Sequence, residues 1–208
     1  MVSRGRYQFV DVEGQVILLV EGTDDARFFD AFLRHLNISQ VQIVSVNGAD
    51  NFAPFLKNTL ITAPGYPKLR QLALARDADD NARAAFQSIG SALAGAGLPV
   101  PAAPFQTSAM GQLSVSVAIL PDGETPGNLE DLCLRSVNDR LALECVEQYL
   151  ACRNMGSVPG GRLSEARLHS YLAVSDEPGL RLGEAADAGV WDWGSPALQP
   201  LGVFLSQL

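Results

Sequence analysis

The feature that most limits what this chain can fold into is the short apolar run at residues 15–20, Gln-Val-Ile-Leu-Leu-Val, which stops abruptly at Glu21-Gly22-Thr23 and gives way to Asp24-Asp25. A run this short and this apolar suits a strand buried on both faces, the usual situation in a parallel sheet. Thr23 is a helix-capping candidate, and residues 26–36 then place Phe28, Phe29, Phe32, Leu33 and Leu36 at helical spacing. The alternation continues. Residues 41–46 read as a second strand stopped by Asn47-Gly48, and residues 51–60 as a helix with Phe52, Phe55 and Leu56 inward. After a loop at 63–67, residues 69–75 form a third strand that delivers Arg76-Asp77-Ala78-Asp79-Asp80 at its end. An alanine-rich helix over 81–94 closes at Gly95-Ala96-Gly97, and a further strand over 115–120 ends at Pro121-Asp122-Gly123. Strand and helix in strict alternation predict an α/β fold with a mostly parallel sheet and helices on both faces.

The second half reads differently. Residues 129–137 and 139–152 carry helical patterns, 156–161 a loop, 164–173 a helix opened by Ser164-Glu165, and 201–208 a short terminal helix. No strand signal occurs there. The expected organisation is an α/β core over 1–135 with a helical C-terminal portion, 136–208, packed on it.

Composition narrows the setting. The longest clean apolar run is Val16 to Val20, far below the roughly 18 residues of a membrane span. The N-terminal Met1-Val-Ser-Arg-Gly-Arg-Tyr has no apolar stretch directly behind its arginines, so it does not read as a secretory signal. Cys133, Cys145 and Cys152 show no CxxC spacing, which favours reduced thiols in a cytoplasmic protein over a zinc site or a disulfide. The net charge is −8, and only Lys57 and Lys68 are lysines. Proteins that coat nucleic acid gain most non-specific affinity from a basic face. Contact with nucleic acid would here need metal ions or a partner to offset repulsion. No phosphate-binding GxxxxGK[ST], GxGxxG or GxSxG motif is present.

The acids carry the chemistry. Ligands of open parallel sheets sit beyond the carboxyl ends of the strands. Glu21 follows the first strand, Asp77 and Asp79 the third, and Asp122 and Glu124 the fourth. Carboxylates gathered on one rim repel one another unless a cation compensates, and Mg²⁺ favours oxygen donors of this kind. Plainer readings compete. Asp24 and Asp25 suit a helix first turn, Asp122 and Glu124 a solvated loop, and Glu130 a first-turn acid near a helix dipole. His35 and His169 lack a second ligand at metal spacing and read as structural or exposed. Arg76 suits either a phosphate contact or a local ion pair. Trp191 and Trp193 read as anchors for the C-terminal part, with base stacking as the alternative.

Val20-Glu21-Gly22-Thr23-Asp24-Asp25 resembles the first motif of Toprim domains, and Asp77-Ala78-Asp79 resembles their DxD motif. The resemblance spans about residues 14–135 and is closest to a group of small bacterial and archaeal Toprim-like proteins, to which Pro126-Gly127-Asn128-Leu129-Glu130 is also similar. It implies Glu21 as general acid–base or metal ligand and Asp77 and Asp79 as Mg²⁺ ligands. Asp25 and Glu130 match further acidic positions of the overcoming-lysogenization-defect nucleases, where two metals clamp an in-line attack on a phosphodiester. Those nucleases also carry a late lysine. No lysine follows Lys68 here, and an arginine such as Arg167 would have to stand in. The expectation is thus a Mg²⁺-dependent (or Mn²⁺-dependent) nuclease acting on nucleic acid or nucleotides. The rivals are a non-catalytic Toprim-like module working with a partner protein such as an ATPase, and a small-nucleotide enzyme. A homodimer is compatible with each.

Overall fold

The computed structural model describes residues 11–155, 158, 160–175 and 177–208. The N-terminal segment read against a secretory signal lies outside them, as does part of the 156–161 loop.

The apolar runs pair into one five-stranded sheet. Its strands are β1 (Val16–Val20), β2 (Val41–Ser45), β3 (Gln71–Asp77), β4 (Thr107–Met110) and β5 (Leu113–Leu120), in the order β2-β1-β3-β5-β4. The pairs β1–β2, β1–β3 and β3–β5 are parallel, and β4 joins β5 antiparallel. β1 is buried along its whole length because it lies between two strands and is covered on both faces, which explains its unbroken apolar run.

Alternation along each strand sorts the core in two. Leu18, Val20, Ala73 and Ala75 face a layer built from α1 (Thr23–His35), α4 (Leu129–Ser136), α6 (Gly160–Leu172), α7 (Leu182–Asp187) and α8 (Gln199–Leu205). Ile17, Leu19, Leu72 and Leu74 face α2 (Phe52–Phe55) and α3 (Ala82–Gly95). Between α4 and α6 runs α5 (Arg140–Cys152). The fold is the expected α/β class, with the C-terminal helices flanking the sheet. Among the described residues no helix is long and apolar enough to cross a membrane.

Four local details differ from expectation. β4 was not anticipated: Thr107-Ser-Ala-Met110 is a mostly exposed edge strand without apolar alternation, joined to β5 across Gly111 at φ +62°. The helix expected over 51–60 changes its winding, from a 3-10 turn at Ala49–Asn51 through α2 to a wide π turn at Leu56–Leu60, with Pro54 contributing no amide donor. β3 runs two residues later than the apolar pattern, because Arg76 and Asp77 still pair with Ile119 and Leu120 of β5. α6 begins at Gly160, four residues before Ser164.

α7 is a six-residue helix that the sequence pattern does not announce. It lies hard against α1, where a Cβ on Gly183 would stand 2.5 Å from Arg27 Cβ and 2.7 Å from the Asp24 carbonyl. Arg27 pairs with Glu184 at 2.9 Å across this contact. Trp191 is fully buried and donates its Nε1–H to the Leu182 carbonyl at 3.2 Å. Trp193 stacks on Phe32 with ring centroids 4.7 Å apart, and His35 lies against it at 6.0 Å. Trp193 anchors the C-terminal segment to α1, and Trp191 ties its own loop to the start of α7.

Candidate functional site

The site forms where β1 and β3 end and α4 begins. Glu21 follows the last residue of β1, and its Oε1 accepts the Asp77 backbone N–H at 3.1 Å. Its own carbonyl accepts Gly48 N–H at 2.9 Å, which ties the end of β1 to the turn after β2. Asp77, the last residue of β3, turns toward α4, and its Oδ1 accepts the Leu129 N–H at 3.0 Å. That amide is one of the free donors at the start of α4, where a negative charge is favoured. Asp25 stands in the first turn of α1 and accepts the Gly22 N–H on Oδ2 at 3.0 Å. It therefore closes its own helix start, as the plainer reading expected, and also faces the cluster.

Asp79 lies in the left-handed region at φ +51°, which Asp tolerates better than most residues. Paired backbone bonds with Gly127, at 2.9 and 2.8 Å, hold it there. Gly127 is itself constrained: at φ +138°, a Cβ would stand 2.9 Å from Asp131 Oδ2. The α4 start is closed by a reciprocal cap, in which Asn128 Oδ1 accepts from Asp131 N–H at 3.1 Å and Asp131 Oδ2 accepts from Asn128 N–H at 3.2 Å. The second oxygen of Asp131 accepts the buried Ser164 hydroxyl at 2.9 Å. α6, from the C-terminal portion, is thereby fastened to the rim of the site.

Electrostatics bind the five expected residues into one set. Burial raises Glu21 to about 7, against the Asp77 amide and Arg76 that pull it down, while Asp25 and Asp79 push it further up. Burial also raises Glu130 to about 7, with Asp25, Asp131 and Glu165 adding repulsion. Asp77 is raised well above the usual carboxylate range, by burial first and then by Glu21, Asp25, Glu130 and Asp79. Asp25 is raised by burial as well. Behind them, the buried Cys133 thiol is pushed up by burial and by the charges of Glu130, Asp25 and Asp77. The acids share a field. Even so, among the described residues no three His, Cys, Asp or Glu side chains converge closely enough to hold a metal ion. Backbone amides donate to Glu21, Asp25 and Asp77 and fix their carboxylates.

The chain is matched over residues 15–208 by the family described as Protein of unknown function (DUF3226). It belongs to that family. No curated protein matches the chain significantly. Among solved structures, it is similar to the C-terminal region of the Xanthomonas campestris pv. campestris OLD protein, at a TM-score of 0.50 and 15% identity, covering 94% of this chain and 96% of that one. A second structure of the same region gives a TM-score of 0.41 at 16% identity, covering 94% and 98%. At such identity the likeness shows the fold. The Toprim-like resemblance is supported at that level.

The remaining residues of this DUF3226 chain fall outside the cluster. Asp122 sits in the loop after β5 and satisfies itself locally, accepting the Thr125 hydroxyl at 2.6 Å and Arg135 at 3.0 Å. Burial alone would raise it, but these donors pull it to about 2. Glu124 is exposed in the same loop. Arg167, the stand-in considered for a late lysine, is paired two-pronged with Glu147. His169 lies 3.9 Å from Glu165, on the face of α6 that lines a cavity of about 780 Å³ against α5. Leu141, Cys145, Tyr149 and Val174 line that cavity too, and none of the five acids does. Asp131 and Ser164 were not anticipated. Asn128-x-x-Asp131 carries a readable cap signature, whereas nothing in the sequence marks Ser164 as its partner.

Proposed function

We propose that the chain is a Toprim-like phosphoryl-transfer protein that uses a divalent cation, Mg²⁺ or Mn²⁺, on nucleic-acid phosphodiesters, most naturally as a nuclease. The observation that carries this reading is the set of half-buried acids at one strand-end rim, with Glu21, Asp25, Asp77 and Glu130 all raised. A fold gains no stability from carboxylates that repel one another inside it; a cation would relieve them. Their donor chemistry suits a hard ion with oxygen ligands. Asp77, Asp79, Asp25 and Glu130 would hold it by drawing together around the ion, since no three acids of the described residues converge on one point as folded. When bound, the cation would supply neutralising charge for the acids and for the incoming phosphodiester. Glu21, raised to about 7, exchanges its proton near neutral pH, the range in which a general acid–base is most effective. The OLD fold likeness supports the same class of chemistry without supplying the activity.

Calorimetric titration of the wild type, Asp77→Asn and Glu21→Gln with Mn²⁺ tests this directly. Wild-type binding that weakens at least about tenfold in Asp77→Asn, a change of roughly 1.4 kcal/mol, is the expected outcome. Failure of the wild type to bind Mn²⁺ at millimolar concentration would overturn the reading.

The net charge of −8 favours a second reading, a non-catalytic module whose nucleic-acid grip comes from a partner protein such as an ATPase. Incubating the isolated chain and Mn²⁺ with single-stranded and duplex DNA separates the two, because only the first reading expects cleavage without the partner.

A further inference from the structure

One cation stands beside Glu21. Arg76 precedes Asp77 on β3, and strand alternation puts it on the same sheet face as Leu72 and Leu74. Its side chain is 13% exposed, with Nε 3.7 Å from Glu21 Oε1, too far for a hydrogen bond. That oxygen is already engaged by the Asp77 amide. Arg76 Nε is completely buried and has no hydrogen-bond partner. Buried donors are almost always satisfied, and a guanidinium, which cannot shed its charge, has the most to lose from being left open. Four other arginines complete ion pairs with carboxylates: Arg27 with Glu184, Arg34 with Asp30, Arg135 with Asp122, and Arg167 with Glu147. Arg167 is therefore committed 20 residues away in sequence, on the α5–α6 side. Arg76 is held incompletely matched, beside the acid best placed to move a proton.

We propose that Arg76 is the anion-contacting residue of this site, and that its guanidinium takes a phosphate oxygen of the substrate phosphodiester. This rests on the metal-dependent reading above and deepens it by naming what replaces the missing late lysine. A guanidinium presents several donors in one plane and matches a phosphate better than an ammonium does. Its position next to Glu21 also gives the site a sign pattern. Removing Arg76 takes away a positive charge that opposes a bound cation and a donor that favours a bound phosphate, so the two ligands should respond in opposite directions.

The test uses the full chain, Mn²⁺ alone as one probe and thymidine 3′,5′-bisphosphate with saturating Mn²⁺ as the other. Wild type, Arg76→Gln, Arg76→Lys and Arg167→Gln are titrated by calorimetry. Arg76→Gln should bind Mn²⁺ as tightly as the wild type or more tightly, yet bind the bisphosphate at least tenfold more weakly. Arg76→Lys should fall between them and Arg167→Gln should match the wild type. If Arg76→Gln binds the bisphosphate as the wild type does, Arg76 is only an internal counter-ion for Glu21 and the inference is wrong. Parallel loss of both ligands in Arg76→Gln would also overturn it, as the mark of a structural role. Wild type that binds no Mn²⁺ removes the metal reading itself, a result distinct from either.

Discussion

Two acidic regions of this molecule sit a short stretch apart in sequence and behave oppositely. In the loop after β5, Asp122 is half-buried and draws in the Thr125 hydroxyl, two backbone amides and Arg135, and its pKa is lowered to about 2. At the strand-end rim, Asp77 and Glu130 are half-buried among other acids and are pushed up. The residue type is nearly the same; what differs is whether the fold supplies donors or further carboxylates. The loop acid is complete as folded and serves the local turn. The rim acids are supported by amides, yet burial and mutual repulsion outweigh that support, which is the condition of a site built around something else.

The largest effect expected from this contrast is on pH-dependent stability. Glu21 and Glu130 ordinarily titrate at 4.5 and are raised to about 7 in the folded chain. Between those values the folded state keeps protons that the unfolded state has released. Their contribution is therefore intact below 4.5 and is lost as pH rises through about 7. Each group alone accounts for about 3 kcal/mol at most, and because they interact through shared neighbours the two do not add fully. Urea melts from pH 4.5 to 8 should show stability falling with pH, and Mn²⁺ should restore part of it at the alkaline end. A flat profile would mean that the rim acids are no worse off than Asp122.

The next effect is smaller and tests how α6 supports the rim. The Ser164 hydroxyl donates to Asp131, whose other oxygen caps the start of α4, the turn whose Leu129 amide holds Asp77. Ser164→Ala leaves a carboxylate oxygen short of a donor in a mostly buried place, at a cost of about 1–2 kcal/mol. For a chain of this length that lowers Tm by roughly 2–4 °C per kcal/mol. Amide exchange at Leu129 should quicken at the same time. Unchanged exchange would show that the cap stands without the C-terminal helix.

The elements and the site were readable from sequence to different degrees. β1, β3 and β5 stood out because burial on both faces leaves an apolar run as its trace, β2 because its residues alternate, and Glu21, Asp77 and Asp79 because they end apolar runs. β4 left no trace, since an exposed edge strand of Thr, Ser, Ala and Met buries too little to impose a pattern. α7 is held by the close approach of Gly183 to α1 and by the Arg27–Glu184 ion pair, 157 residues apart in sequence, neither of which periodicity can express. Asp25 and Glu130 were named, but their shared field with Asp77 depends on α1 and α4 converging on one rim. Ser164 and Arg76 show the limit most clearly: what matters about each is a partner gained or missing in three dimensions.

The smallest expected effect sharpens the contrast from the other side. Asp122 has its pKa lowered, so its contribution is present above the ordinary value of 3.8 and is lost as pH falls through about 2. The side chain is about one third exposed in a surface loop, and water and salt screen most of what its donors supply. Asp122→Asn should therefore cost only about 0.5 kcal/mol at pH 7, less in high salt, and leave Mn²⁺ binding unchanged. Its sign is the informative part: neutralising the loop acid lowers stability, whereas protonating the rim acids raises it. Melts of Asp122→Asn and wild type at pH 7, in low and high salt, measure it. If Asp122→Asn proved more stable than the wild type, the loop acid too would be a strained charge, and the division between the two regions would fail.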